Sequence, residues 1–204
     1  MVVYIKMLIA GKKLIVAHIV FLLLVLFLLN AGAGGKNAIV VSVNQGSGCP
    51  VAVLKNNDFL PALLKAIDEA RDEIFISIFS FRAGVHKRSY PDRILAHLGR
   101  AVKRGVDVKV VLEITGKTSD ELSAQNRKTK RLLEEQGVVV YLDSPRKTTH
   151  TKLIVIDQRL VILGSHNWTQ SALKYNNEIS LLVESQELAR EARDYILTII
   201  KDAK

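Results

Sequence analysis

The sequence predicts an α/β fold, in which helices pack on both faces of a mixed, largely parallel β-sheet and one hydrophobic helix precedes the domain. Apolar, β-branched runs of five to eight residues alternate with amphipathic segments of helical spacing, and the connections between them are short. Such alternation is typical of strand–helix–strand units. At 204 residues the chain is long enough for one domain with a substantial core and an additional segment.

The first 35 residues form a hydrophobic segment, which we expect to be distinct from a domain at 36–204. Three lysines precede a run of sixteen uncharged residues at 14–29. The small residues at 31–33 fit a cleaved secretory signal, whereas an uncleaved membrane anchor would extend the run through residue 35. Because lysines favour the inner side of a membrane, both alternatives place the domain outside the cytoplasm, either secreted or membrane-anchored. The run has no polar face, which disfavours a buried core helix.

Capping residues and glycines mark the predicted helices after this segment. Thr118 and Glu121 form a capping box, and Gly105 and Gly137 follow helix ends. The predicted helices are 59–70, 91–104, 118–136 and 186–200. The predicted strands are 39–43, 74–81, 106–112, 138–142 and 178–183, with a hairpin between the last two.

The hairpin carries the most distinctive polar residues of the chain. An apolar run follows Lys152, and a polar turn at 157–159 separates it from a second apolar run at 160–163. Side chains alternate along a strand, so His150 and Lys152 share a face, with Cα atoms roughly 6.6 Å apart. The segment 164–168 then returns further polar groups to the same end of the sheet.

His150, Lys152 and Asp157 form an H-x-K-x4-D motif, which is followed by Gly-Ser at 164–165, Asn167 and Glu178. This arrangement resembles the phospholipase D superfamily, and within it the small secreted bacterial endonucleases that carry a single such motif. The likeness covers roughly 51–195. It implies a phospholipase D-like fold and a phosphodiesterase that needs neither a metal nor another cofactor. In the chain itself, no carboxylate pair or His/Cys cluster has the spacing of metal ligands.

The resemblance also implies the catalytic residues. His150 would attack phosphorus and form a phosphohistidine, and Glu178 would accept a hydrogen bond from His150 Nδ1 and support the cation. Lys152 would act beside His150. Asp157 belongs to the motif and is grouped with the catalytic residues, although tying the hairpin is the role we expect of it.

A phosphate-binding set accompanies them. Lys152 and Asn167 are suited to bind the non-bridging oxygens of a phosphodiester, and Ser165 is a hydrogen-bond partner at the floor of the site. The superfamily uses two motifs in one site, one imidazole attacking and the other donating a proton. This chain has only one, so the resemblance implies a homodimer with a shared site, whose activity rises and then falls around the imidazole pKa of ~6.5.

Several other residues have two interpretations. His166 matches no catalytic position of the family and is expected to be a structural turn residue. Trp168 either stacks on a base or sugar or, as we favour, packs beneath the site. The single cysteine, Cys49, excludes an internal disulfide and is expected to be a small apolar filler. The basic loop 82–90 either lines a phosphate groove or is solvated, and the charged stretch 127–131 is expected to be a solvated helix face.

Three functions remain open from the sequence. Only three of the 29 basic residues and none of the 20 acidic ones precede Lys36, so the domain carries a net charge of +6. This weakly favours an anionic partner and, with the single motif, a nucleic-acid phosphodiesterase. The hydrophobic segment supports an alternative, a phospholipase D acting on membrane phospholipids. A third possibility is a membrane-tethered nucleic-acid-binding protein without catalysis, which the intact motif disfavours.

Overall fold

The computed structural model describes residues 49–86, 88–115 and 120–203, and in them a seven-stranded sheet is flanked by helices. The strands are β1 (Val51–Lys55), β2 (Glu73–Ile78), β3 (Asp107–Leu112), β4 (Val139–Leu142), β5 (Lys152–Ile156), β6 (Leu160–Gly164) and β7 (Ile179–Glu184). The helices are α1 (Phe59–Glu69), α2 (Tyr90–Lys103), α3 (Glu121–Glu134), α4 (Gln170–Lys174) and α5 (Gln186–Asp202).

The sheet is mixed, as predicted, but the expectation that it is largely parallel is wrong. Its strand order is β1-β7-β6-β5-β2-β3-β4, and only β2–β3 and β3–β4 pair in parallel. The other four pairings are antiparallel. The connections between strands explain the difference. Helices α2 and α3 carry the chain back to the edge where the previous strand began, which makes the joined strands parallel, whereas the tight turn between β5 and β6 makes that pair antiparallel.

Two apolar clusters hold the helices to the sheet. Ile74 and Ile76 of β2 point to the face covered by α1, α2 and α3, while Phe75 points to the face covered by α5. The alternation along β2 therefore buries both sides of the strand. This confirms the predicted arrangement of helices on both faces of the sheet.

The predicted elements of the domain are found within a few residues of their expected bounds. The first strand, β1, and the short helix α4 were not predicted. Cys49 is exposed, so its expected role as an apolar filler is wrong. Helix α3 is capped by Asp120, whose side chain accepts from Ser123 N, and Thr118 of the expected capping box lies outside the described residues.

Residues 1–48 also lie outside the described part of the chain. The predicted hydrophobic helix, the domain boundary after residue 35 and the strand at 39–43 fall there and stay predictions. Within the residues that the structure does describe, no helix combines the length and apolar character needed to cross a bilayer.

The turn between β5 and β6 is organised by Asp157. Asp157 and Gln158 both have positive φ, 51° and 45°, as the central residues of a tight hairpin turn with right-handed twist require. The Asp157 carboxylate accepts hydrogen bonds from three successive backbone N–H groups that lead into β2, those of Arg71, Asp72 and Glu73, at 3.0, 2.9 and 3.1 Å. The hairpin is thereby tied to the start of the neighbouring strand.

We expect Asp157→Ala to lower the free energy of unfolding by about 2–3 kcal/mol, because three N–H groups lose a charged acceptor and alanine disfavours positive φ. Urea unfolding measures the change. Asp157→Asn should lose less, since asparagine tolerates this conformation and keeps one carbonyl acceptor. Asp58→Ala is the matched control: Asp58 is exposed and caps nothing with its side chain, so a change within about 0.5 kcal/mol is expected. Equal losses in the two alanine variants would contradict this role of Asp157.

Candidate active site

Most of the predicted site residues lie at one edge of the sheet. Strands β2, β3, β4 and β6 run in one direction and end at this edge, while β5 and β7 run in the other and begin there. The segments around these strand ends carry His150, Lys152, Ser165, Asn167 and Glu178. The fold therefore brings together residues from three separate stretches of chain.

His150 is exposed, and its ring contacts the Phe79 ring edge to face, with centroids 4.4 Å apart. Its backbone neighbours are held on both sides. Thr149 N donates to Glu113 Oε2 at 2.6 Å, and Phe79 N donates to Thr151 O at 2.9 Å. An exposed imidazole on a fixed backbone is suited to nucleophilic attack.

Lys152 is beside His150, as predicted from the alternation along the strand. Its Nζ donates to His150 O at 2.9 Å and lies 5.0 Å from the centroid of the Phe79 ring. Burial lowers the pKa of Lys152, and the negative charge of Glu178 opposes that shift. The ammonium and the imidazole thus lie around one aromatic ring, where an anionic substrate would meet both.

Ser165 and Glu178 form a second polar pair at this edge. Ser165 Oγ donates to Glu178 Oε2 and accepts from Ile179 N at 3.1 Å, while Asn176 Nδ2 donates to Glu178 Oε1 at 3.1 Å. In the described residues the Glu178 carboxylate is not hydrogen-bonded to His150, so the expected His150–Glu178 bond is not present. A catalytic role for Glu178 stays a prediction.

Gly164 explains how closely these strands approach. A Cβ at this position would lie 2.3 Å from Ser180 Oγ and 2.5 Å from Ile179 O. Any larger residue would push β6 and β7 apart and displace Ser165 from Glu178.

Asn167 lies at the wall of a cavity of about 850 Å³. Its Oδ1 is buried and has no hydrogen-bond partner among the described residues. A buried amide with an unused polar atom is uncommon in folded proteins. This oxygen is an acceptor, whereas a phosphate oxygen needs a donor, so the predicted phosphate-binding role of Asn167 would fall to its Nδ2 group and stays a prediction. Phe79 lines the same cavity, which connects it with the ring that His150 contacts.

Two residues of the basic loop contribute to this cavity. Arg82 and His86 both line it, and Arg82 also forms an ion pair with Glu121 at 3.0 Å. Tyr175 lies on the same wall with 70% of its surface exposed. Of the two interpretations of the loop, these positions favour a groove over a freely solvated loop.

Asp157 does not belong to the site. It follows β5 at the opposite end of the strand, and five residues at ~3.3 Å each place it roughly 16 Å from Lys152. Its carboxylate is occupied by backbone N–H groups of the 71–73 segment. The grouping of Asp157 with the catalytic residues is therefore wrong, and the expected structural role is correct.

His166 and Trp168 are structural as well. His166 is fully buried, stacks on Phe59 with centroids 4.1 Å apart, and bonds Ser180 Oγ at 2.8 Å and the Asn56 carbonyl oxygen at 3.2 Å. Burial lowers the pKa of His166 and keeps the ring neutral. Trp168 is fully buried against Phe81, which excludes it as a surface on which a base stacks.

Two acidic residues at this edge were not predicted. Glu113 follows β3 directly and Asp143 follows β4, and both are almost completely buried. Burial, together with the neighbouring Asp143 carboxylate, raises the pKa of Glu113. The sequence does contain a signal for these two residues, because an acidic residue directly follows each of the two predicted apolar strands. No three His, Cys, Asp or Glu side chains in the described ranges are grouped as a metal ion would require.

Comparison with known proteins supports the resemblance. The model of the cardiolipin synthase family's phospholipase D-like domain matches residues 63–200. Mitochondrial cardiolipin hydrolase of Mus musculus is 31% identical over 148 residues, covering 71% of this chain and 59% of the relative. A phospholipase D of Rickettsia bellii is 32% identical over 125 residues, covering 60% of this chain and 54% of the relative. The chain thus spans between half and three fifths of the length of these relatives.

A solved structure agrees with this assignment. The phospholipase D family member Nuc from Salmonella typhimurium has a TM-score of 0.65 and is 26% identical, with 77% of this chain and 97% of that chain covered. The family model spans more than half of the sequence and includes the H-x-K motif. The chain belongs to the phospholipase D superfamily.

Proposed function

We propose that the enzyme hydrolyses the phosphodiester bonds of nucleic acid through a covalent intermediate on His150. The observation that carries this proposal is the placement of an exposed imidazole and the Lys152 ammonium around the Phe79 ring, which itself lines the cavity of about 850 Å³. The ammonium offsets the charge of a phosphate that would otherwise repel the nucleophile.

The proposed reaction has two steps. A ring nitrogen of His150 attacks phosphorus, the P–O bond to the leaving group breaks, and a second imidazole donates a proton to the departing oxygen. Water then attacks the phosphohistidine while that imidazole takes back a proton, which releases the phosphate monoester and free His150. Lys152 and Asn167 bind the non-bridging oxygens in both steps. The chemistry is proposed to need no metal.

The proton donor is proposed to be His150 of a second copy of the chain. Within the described residues, His166 is buried and bonded on both ring nitrogens, and His97 is paired with Asp68 at 2.8 Å on the outer helices α1 and α2. Neither is available at the site. A two-fold axis through the site would place two His150 rings face to face.

An uncovered apolar face supports this dimer. Leu163 pairs with Leu181 across β6 and β7, and Ile179 continues the row on β7. These side chains are 39%, 38% and 55% exposed, close to the edge that carries the site. Exposed leucine and isoleucine side chains on neighbouring strands are typical of an interface.

Nucleic acid is favoured as the substrate by the lining of the cavity. Arg82 and His86 can accompany a phosphate backbone, and the exposed ring of Tyr175 offers a surface on which a base can stack. The net charge of the domain acts in the same direction. With the hydrophobic segment at 1–35, we propose that the enzyme works outside the cytoplasm.

Phospholipid is the second candidate substrate. Relatives of this chain bear the names cardiolipin hydrolase and phospholipase D, which are lipid phosphodiesterases by name. The hydrophobic segment at 1–35 would hold the domain near lipid headgroups if it anchors the chain in a membrane.

We expect the purified chain to cleave nucleic acid in excess EDTA, and His150→Asn to lower kcat by at least about a thousandfold because the nucleophile is gone. The assay compares single-stranded DNA, duplex DNA, RNA and cardiolipin or phosphatidylcholine vesicles. His97→Asn is the matched control, because its ring lies on outer helices, and it should retain activity.

Headgroup release without nucleic-acid cleavage would favour the phospholipase, and salt-sensitive binding without turnover would favour a non-catalytic protein. Inhibition by EDTA would contradict the metal-independent chemistry.

Subunit mixing tests the shared site. If two His150 rings form one site, an equal mixture of wild-type and His150→Asn chains, after subunit exchange, should show about a quarter of the wild-type rate, because only wild-type pairs are complete. A self-sufficient protomer would show about half. His86→Asn should be measured in parallel, since His86 lines the cavity. If the mixture kept half of the wild-type rate and His86→Asn were inactive, the proton donor would be His86 of the same chain as the nucleophile, and the shared site would be contradicted.

A further inference from the structure

Two buried carboxyl groups meet beneath the segment that carries His150. Glu113 and Asp143 occupy equivalent positions, each following one of the parallel strands β3 and β4, and they are 1% and 3% exposed. Leu112 lies opposite Leu142 in the β3–β4 pair, so Glu113 and Asp143, the next residue on each strand, lie side by side. Buried acids are rare unless they are paired, so the contact calls for a physical account.

One oxygen of the two carboxyl groups has no hydrogen-bond partner among the described residues. Glu113 Oε2 accepts from Thr149 N at 2.6 Å, and Asp143 Oδ1 accepts from Ser144 N at 2.6 Å. Asp143 Oδ2 is buried and receives no hydrogen bond from any described residue. Two ionised carboxylates in contact would repel each other and leave this oxygen unsatisfied, whereas one proton between them solves both problems.

We propose that Glu113 and Asp143 share one proton and act together as a positioning pair for His150, an inference that rests on the proposed role of His150 as nucleophile. Glu113 holds the proton on Oε1 and donates it to Asp143 Oδ2, while its Oε2 remains an acceptor for Thr149 N. Every polar atom of the pair is then satisfied, and the pair carries a single negative charge.

The pair matters for His150 because Glu113 helps to hold the backbone that carries the imidazole ring. The ring is exposed and its described contact is with Phe79. On one side of His150, Thr149 N donates to Glu113. On the other side, Thr151 O accepts from Phe79 N, and the Thr151 hydroxyl bonds Ser77 Oγ at 2.5 Å. Loss of the Glu113 bond frees one side of this support.

Other charged groups surround the pair. Asp120, the N-cap of α3, adds a negative charge that disfavours ionisation of Glu113. A cavity of about 310 Å³ next to Asp143 is also lined by the cations Arg146 and Lys147, by His150 and by Asp202 of α5.

Burial and the neighbouring acids raise the pKa of Glu113, while Thr149 N opposes the shift. Since the folded state then holds a proton that the unfolded state releases, the contribution of Glu113 to stability falls as pH rises above its ordinary value near 4.5.

Variants of the pair separate a shared proton from ordinary packing. Infrared difference spectra of the full chain should show a protonated carboxyl that titrates above the ordinary glutamate range. We expect it to be absent in Glu113→Gln and also in Asp143→Asn, in which Glu113 remains but an amide replaces the shared proton. Glu73→Gln is the matched control, a half-buried acid paired with Arg193 at the start of β2, and it should keep the signal. A wild-type spectrum without this carboxyl, or a signal that persists in Asp143→Asn, overturns the shared proton.

The positioning role has its own readouts. Glu113→Gln should keep kcat within about threefold, because its amide can donate to Asp143 and accept from Thr149 N, and its stability should no longer fall above pH ~4.5. Glu113→Ala should lower kcat by about tenfold or more with little change in KM, and it should move the His150 ring signals in the NMR spectrum, which Glu113→Gln restores. An alanine variant with unchanged His150 signals overturns the role. Because the NMR and infrared results need no turnover, they test the pair even if the proposed reaction fails.

Discussion

The register between β2 and β5 is the constraint on which the site depends. Ile78 lies opposite Lys152 in this antiparallel pair, and Phe79 N then donates to Thr151 O, which brings the Phe79 ring against that of the adjacent His150. Side chains alternate along a strand, so a slip of one residue would turn Lys152 to the opposite face of the sheet. Asp157 holds the far end of the same pair through the N–H groups that precede β2. The aspartate of the motif thus supports the site from a distance.

Buried and exposed polar groups have different functions at this edge. His166 and Trp168 lie in the core and hold the chain that follows β6, with Trp168 N donating to Ser80 O and Arg82 N donating to Trp168 O. His150 is exposed, and Asn167 faces the cavity. Residues that are adjacent in sequence therefore separate into structural and reactive groups according to burial, since a ring bonded on both nitrogens within the core cannot reach a substrate.

The edge also explains why one fold is compatible with different phosphodiester substrates. Lys152 begins the central strand β5 and His150 lies just before it, whereas Arg82, His86 and Tyr175 belong to surrounding segments. Binding groups on the surrounding segments can vary without disturbing the reactive centre. Relatives of this chain include proteins named cardiolipin hydrolase and phospholipase D, and the family model matches residues 63–200, which include this edge.

The sequence by itself determined the hairpin, the positions of the main helices and strands of the domain, and the proximity of His150 and Lys152. These features depend on local chemistry: alternation along a strand, apolar periodicity, and the Gly residues that end helices at 105 and 137 with φ of 92° and 83°. The motif residues Ser165 and Asn167 were also placed correctly at the sheet edge.

Only the tertiary structure decided strand direction, the position of Asp157 and the contact between Glu113 and Asp143. Strand direction depends on which elements pair across the sheet, and that pairing joins segments such as β2 and β5, far apart in sequence. Glu113 and Asp143 meet because β3 and β4 run in parallel and end together. Burial then gives their carboxyl groups properties that no local pattern contains, because the free energy of a charge depends on its distance from water and from other charges.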